Sequence, residues 1–199
     1  MRLPVVILLA LAVLGGCASS PPIGWHSLVP AAPAPAAAAS APAPARATLA
    51  VGLVTVPDEV DRPQLVLRGA GGTPALLDNE RWTEPLKAQL PRALALGLAP
   101  RLPGVLVVAA PGAVVPAPGW RLVVDVQRFE LQRERAVLRA VWSLRPGTPR
   151  DGEPPAPQVF DAAVPVAGAG PAAAVAAMAT ALDQLTGQIS RSACAVAGC

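Results

Sequence analysis

The segment GWRLVVDVQRFELQ, residues 119–132, is followed after Arg133 and Glu134 by RAVLRAVWSL, residues 135–144. In the second segment, apolar side chains recur at every second position: Leu138, Ala140, Trp142 and Leu144. Alternate positions of a strand face the same side of a sheet. The two segments therefore predict an antiparallel hairpin with one packed face and one partly solvated face.

Shorter strands are predicted before and after this hairpin. Each is a short run of apolar or β-branched residues, and glycine, proline or acidic residues typical of turns lie between the runs. The predicted strands cover residues 47–56, 64–68, 75–77, 104–110 and 158–166, and Gly69–Gly72 is predicted to be a loop.

Two segments have helical spacing instead. Apolar side chains recur every four residues from Trp82 to Leu98, where Pro85 fits the first turn and Pro91 is expected to bend or split the helix. Residues 171–191 form the second predicted helix, with an apolar stripe at steps of three and four. The pattern predicts an α+β fold, a mostly antiparallel sheet with two main helices packed on one face.

The N-terminal segment is typical of a secreted protein. Arg2 precedes an apolar run, Leu3–Leu14, that is shorter than the roughly 20 residues a membrane helix needs. Leu14-Gly15-Gly16-Cys17 resembles the bacterial lipobox, so we predict that residues 1–16 are removed and that Cys17 carries the lipid. The alternative is an ordinary signal peptide with a chance cysteine.

Composition limits the remaining possibilities. Removing 16 of the 199 residues leaves 183, enough for one domain, which we place at residues 47–191. Residues 17–30 form the lipidated N-terminus, and the Pro/Ala-rich residues 31–46 form a loop or tether. The net charge of +3 is small and scattered, which argues against nucleic acid as a partner.

Two cysteines remain near the C-terminus, Cys194 and Cys199. In an oxidising compartment they are candidates for a disulfide within a tail that covers residues 192–199. The alternative is two free thiols. Two cysteines and the distant His26 do not make a zinc site, so neither a metal nor another cofactor is predicted.

No catalytic motif is present in the sequence. His26 is the only histidine, and nothing places it beside a nucleophile and an orienting acid. The acidic pairs Asp58/Asp61 and Asp78/Glu80 are expected to satisfy free backbone N–H groups at turns and helix starts. We therefore predict that the protein is not an enzyme.

Two short motifs are more specific. The first is Asp61-Arg62-Pro63-Gln64, between two predicted strands, and the second is Arg81-Trp82-Thr83-Glu84-Pro85-Leu86, at the predicted start of the first helix. Their arginines could pair with nearby acids or bind carboxylates or phosphates of a partner. Trp82 could be a core residue or part of the same contact.

These motifs, together with residues 51–68, Val124-Asp125-Val126-Gln127-Arg128-Phe129 and the C-terminal helix, resemble the PqiC/YmbA family. The similarity follows the same order over nearly all of the mature chain. The family comprises auxiliary lipoproteins of ABC-type transport systems with mammalian-cell-entry domains. Trp25-His26-Ser27-Leu28 is similar to the short first strand of that family.

The resemblance implies a non-catalytic lipoprotein, held in the outer membrane by its anchor and facing the periplasm. There it would dock a periplasmic mammalian-cell-entry-domain protein that moves phospholipid or related lipids. Ala18 supports the outer membrane, because an aspartate after the lipidated cysteine is what often retains such proteins at the inner membrane. Asp61, Arg62, Pro63, Gln64, Arg81 and Trp82 are the candidate partner-binding residues. A lipid carrier, a structural envelope lipoprotein and a homo-oligomer remain alternatives to test.

Overall fold

The computed structural model describes residues 21–29, 44–110, 119–147 and 156–197. The signal segment 1–16, Cys17, Cys199 and most of the Pro/Ala-rich segment lie outside these residues, and the predictions made for them remain predictions.

Eight strands are found in the described part of the chain, all in one sheet. Their bounds are β1 Gly24–His26, β2 Ala47–Thr55, β3 Gln64–Arg68, β4 Pro74–Trp82, β5 Val105–Ala109, β6 Gly119–Gln132, β7 Arg135–Pro146 and β8 Gln158–Pro165. The order across the sheet is β1-β4-β3-β6-β2-β5, and β7 lies between β6 and β8.

The predicted hairpin is the longest pairing of this sheet. Strands β6 and β7 are antiparallel from Trp120 opposite Pro146 to Leu131 opposite Ala136, with a register shift after Val126. The β7–β8 and β3–β4 pairs are also antiparallel. Among the described strands, β1–β4, β2–β5, β2–β6 and β3–β6 pair in parallel. The long antiparallel ladders confirm the predicted, mostly antiparallel sheet. The four parallel pairings are additional to that prediction.

Within the described ranges, two α-helices, α1 Leu86–Leu98 and α2 Gly170–Ala197, cover the packed face of the sheet. Helix α1 packs on β2 and β5, α2 packs on β6, β7 and β8, and the helices contact each other. Gly97 permits this contact, because a Cβ there would lie 3.1 Å from Cγ2 of Thr186. The α+β fold is thus confirmed. The largest fully buried side chains come from both layers: Leu65, Leu86, Leu90, Leu94, Leu98, Leu102, Leu122, Leu131, Leu138, Trp142, Met178 and Leu185.

The first helix begins later than predicted. Trp82 ends β4, and Pro85 is the last residue before α1. The prediction of a helix from Trp82 was wrong because the backbone of residues 82 and 83 is used in pairing with neighbouring segments. The N–H of Trp82 donates to the carbonyl of Pro63, and the N–H of Thr83 donates to the carbonyl of His26.

Two further helix predictions need adjustment. A bend or a split was predicted at Pro91, and helix α1 continues through Pro91 as one element, which excludes the split. Pro91 cannot donate a hydrogen bond to the carbonyl of Lys87, and its ring crowds that carbonyl, while the buried ring packs in the core. Helix α2 extends past residue 191 to Ala197, so most of the expected C-terminal tail is helical.

Candidate functional site

The two specific motifs of the sequence meet near one edge of the sheet. The N–H of Trp82 donates to the carbonyl of Pro63 over 2.8 Å. Gln64 of β3 and Arg81 of β4 are register partners. Arg81 is in turn the register partner of Trp25 in β1. We call Arg62, Pro63, Gln64 and Arg81 the motif surface; each of these four residues keeps access to solvent.

Asp61 has a structural role at the start of α1. Its Oδ1 accepts the backbone N–H of Lys87 at 3.3 Å, and its Oδ2 lies 3.1 Å from Nζ of the same residue. Pro85, at the N-cap position, makes no side-chain hydrogen bond to the helix. Asp61 therefore acts as the missing capping side chain, as predicted for acidic residues near helix starts.

Lys87 is held by two carboxylates. The hydrogen bond to Asp61, followed by the one to Asp58, raises the pKa of the Lys87 ammonium above its usual 10.5. The two ion pairs of Lys87 connect the turn after β2 to the first turn of α1. They thereby hold the backbone at Arg62 in place.

Arg62 and Arg81 are half-buried, and each has an unused donor. The Nε atoms of both side chains are buried and have no hydrogen-bond partner among the described residues. Leaving a charged donor buried and unpaired costs free energy. A guanidinium group matches a carboxylate or phosphate in two parallel hydrogen bonds. These two residues are therefore the strongest candidates for contact with a partner.

Trp82 belongs to the core beneath this surface. Its side chain is only 3% exposed. Its ring meets Phe129 of β6 edge-on, with 6.1 Å between centroids and 70° between planes. Trp82 can support the motif surface from the core side. A partner would contact the Trp82 ring directly only if the packing of the core were disrupted.

Gln89 was not singled out from the sequence, although it holds β1 in place. It is fully buried on α1. Its Oε1 accepts the N–H of Leu28 at 3.0 Å and lies 3.3 Å from the hydroxyl of Ser27, while its Nε2 donates to the carbonyl of Glu84. A glutamine between apolar helix positions is the signal that could have identified it, because a buried amide requires partners.

His26 lies in β1, as the resemblance implied, and pairs with an acid. Its Nε2 is 2.5 Å from Oε2 of Glu80. Residues 78–80 are extra residues of β4 relative to β3, and this irregularity places Glu80 beside Gly24 of β1. The prediction that Asp78 and Glu80 satisfy a helix start was wrong, because both lie in a strand.

The cavities of the described residues are open and moderate in size. One of about 490 Å³ is lined by Leu67, Leu77, Arg133, Ala174 and the segment 168–171 before and at the start of α2. Its volume is within the usual range for small ligands. A phospholipid with two acyl chains is larger than this cavity.

Three other features bear on the predictions. Cys194 is disulfide-bonded, and the other two cysteines of the chain, Cys17 and Cys199, lie outside the described residues. No group of three potential metal ligands occurs within the described ranges. None of the described helices is long and apolar enough to cross a membrane.

A protein-family model matches residues 27–190, a range that includes every residue of both motifs. The matched family is the ABC-type transport auxiliary lipoprotein component. The chain belongs to this family. The resemblance to PqiC/YmbA-type lipoproteins is thereby confirmed. The family is defined by a transport role and not by a catalytic activity, and its members are envelope lipoproteins anchored in a membrane.

Solved structures support the same fold. A protein described as uncharacterized matches with a TM-score of 0.69 and 21% identity, over 86% of this chain and 99% of its own. A Xanthomonas campestris protein of family DUF330 matches with a TM-score of 0.60 and 22% identity, over 84% of this chain and 91% of its own. At these identities the likeness concerns the fold alone. No curated protein sequence matches this chain.

Proposed function

We propose that this lipoprotein is anchored through Cys17 in the inner leaflet of the outer membrane. There it docks the periplasmic mammalian-cell-entry-domain protein of a lipid transport system. The motif surface makes the contact, while Asp61 and Trp82 hold its backbone from below. The protein itself performs no chemistry, and energy for transport is supplied by other subunits.

The observation that carries this proposal is the pair of unpartnered donors at the meeting point of both motifs. Arg62 and Arg81 are about 20 residues apart in the sequence, yet Arg62 lies two residues before β3 and Arg81 lies in β4, and the pairing of these strands brings the two segments together. Arginine is enriched among the residues that dominate binding energy at protein interfaces. A carboxylate of the partner would pair with these half-buried guanidinium groups, and a small rotation of either side chain would give the buried Nε, which lacks a partner in the described chain, access to the same carboxylate.

The carrier alternative has less support. A carrier needs an enclosed apolar cavity that covers most of its ligand. The cavity of about 490 Å³ between β3, β4 and the start of α2 is open to solvent and is partly lined by the exposed Arg133. It can accommodate part of a lipid at most, so a docking role accounts better for the surface features.

The test is affinity capture of the transport partner from detergent-solubilised envelopes. The Arg62→Ala/Arg81→Ala variant should lose capture by tenfold or more, because a good hydrogen bond between an arginine and a carboxylate contributes about 1.5–3 kcal/mol. Equal thermal unfolding of the variant and the native protein would show that the fold is unchanged.

The matched control is Arg145→Ala. Arg145 is an exposed arginine on β7, well away from the motifs. Capture should stay within about twofold of the native protein, as expected for a surface substitution outside the interface. Full capture by the double variant would refute the role of the motif surface.

A further inference from the structure

The distance between the proposed anchor and the sheet is short. The first described residue is Pro21, and β1 begins at Gly24. Because an extended chain spans at most about 3.6 Å per residue, Ile23 lies within about 22 Å of Cys17 and Trp25 within about 29 Å. The Pro/Ala-rich segment adds nothing to this reach, since it lies between β1 and β2 of the same sheet.

This reach is shorter than the domain. A folded domain of about 180 residues has a radius of gyration near 16 Å and is about 40 Å across. A lipid on Cys17 would therefore keep the β1 edge as the part of the domain nearest to the membrane. The opposite edge of the sheet, formed by β8 beyond β6 and β7, would point away from it.

The β1 edge carries two large exposed apolar side chains. Trp25 is 60% exposed and Ile23 is 44% exposed. Strand β1 pairs only with β4 among the described strands, so its outer side is uncovered there. Trp25 and its register partner Arg81 point away from the helix layer, since the adjacent Trp82 is in the core.

We infer that Ile23 and Trp25 insert into the head-group region of the membrane that holds the lipid on Cys17. Tryptophan is enriched at membrane interfaces because one end of its ring system is apolar and the other donates a hydrogen bond. With the lipid as one attachment and Trp25 as a second, the domain cannot rotate freely. The neighbouring motif surface is then held close to the bilayer in a fixed orientation. This inference rests on the proposed anchoring.

Tryptophan fluorescence provides the test. The full-length lipidated protein is reconstituted into phosphatidylcholine vesicles with or without brominated acyl chains, which quench only nearby rings. The chain has four tryptophans. Trp82 and Trp142 are buried, and Trp120 is half-buried. Brominated lipid should remove up to about a quarter of the emission, the share of one tryptophan in four. Trp25→Phe should abolish this loss.

The matched control moves the probe to the far edge of the sheet. Val159 of β8 is 54% exposed, and β8 forms the edge of the sheet opposite to β1. In the variant Trp25→Phe/Val159→Trp, the added ring should be quenched by acrylamide in the aqueous phase and not by brominated lipid. Equal quenching by brominated lipid at both positions would overturn a fixed orientation.

The outcomes separate the inference from the proposed function. If the protein floats with vesicles but Trp25 is quenched only by acrylamide, the membrane contact is wrong and the anchor stands. If Trp25 becomes shielded from acrylamide only after the transport partner is added, the contact belongs to a protein, and the inference is wrong. If the protein does not float with vesicles at all, the anchor and the inference both fail.

Discussion

At the residue scale, the motif residues divide into supporting and exposed groups. Trp82 packs in the core and Asp61 caps the helix start, whereas Arg62 and Arg81 are partly exposed and each keeps a buried Nε without a partner among the described residues. Sequence spacing identified all of these residues but could not divide them. The division depends on which side of β4 Arg81 and Trp82 occupy and on how the turn before β3 orients Asp61 and Arg62.

Trp82→Ala should lower the free energy of unfolding by about 3–5 kcal/mol, because it leaves a cavity beneath Phe129 in a packed core. Denaturant unfolding measures this directly. Trp25→Ala is the matched control, and since that ring is mostly exposed, its effect should stay within about 0.5 kcal/mol. Similar effects of the two substitutions would contradict the assignment of Trp82 to the core.

The Lys87 cluster predicts a pH dependence. The pKa of Lys87 is raised in the folded protein by its bonds to Asp61 and Asp58. The contribution of these bonds to the free energy of unfolding is therefore fully present below about 10.5, the pKa of Lys87 in the unfolded chain. It is lost as the pH rises through the higher pKa of Lys87 in the folded protein. Lys87→Met should remove this dependence.

The measurement compares the free energy of unfolding of Lys87→Met and the native protein between about pH 8 and 12. The difference between the two free energies of unfolding should decrease as the pH rises through the pKa of Lys87 in the folded native protein. A difference that stays constant over this pH range would mean that Lys87 contributes to stability through packing alone.

At the element scale, periodicity located the sheet and the last helix well. The hairpin of β6 and β7 was placed correctly because one face of each arm is buried and the alternation is clear. Helix α2 was predicted over most of its length from its apolar stripe. The start of α1 was missed because Trp82 continues the four-residue spacing of the helix while its backbone pairs with strand neighbours. Long-range pairing overrides local spacing.

The end of α2 carries a prediction about Cys194. It is disulfide-bonded, and if Cys17 carries a lipid, Cys199 is the partner left in the chain. The unreduced native protein should then show no free thiol to maleimide labelling, and Cys199→Ser should expose one, at Cys194. Absence of labelling in that variant would point to a different partner.

At the scale of the whole molecule, the arrangement of strands brings the N-terminus to the motif surface. Strand β1 pairs with the end of β4, where the second motif begins. Gln89 of α1 fixes the segment that follows β1 by accepting the N–H of Leu28. The proposed anchor and the proposed docking surface thus belong to the same edge of the fold.

Cys17→Ser should abolish incorporation of labelled palmitate and release the protein from the membrane fraction, because several acyl chains on one cysteine account for stable anchoring. Cys194→Ser is the control that keeps the label. Envelope fractionation together with palmitate labelling is the measurement. Palmitate retained in Cys17→Ser would contradict the proposed site of lipidation.

The sequence alone determined the class of fold, the family and the segments that carry its motifs. These properties depend on local periodicity and on residues in a fixed order, which a single chain displays directly. Only the tertiary structure decided that Trp82 is buried, that Asp61 caps α1 and that β1 joins β4. Each of these features depends on contacts between segments far apart in the chain. Local spacing cannot specify which face of the sheet a side chain occupies or which strand lies beside it.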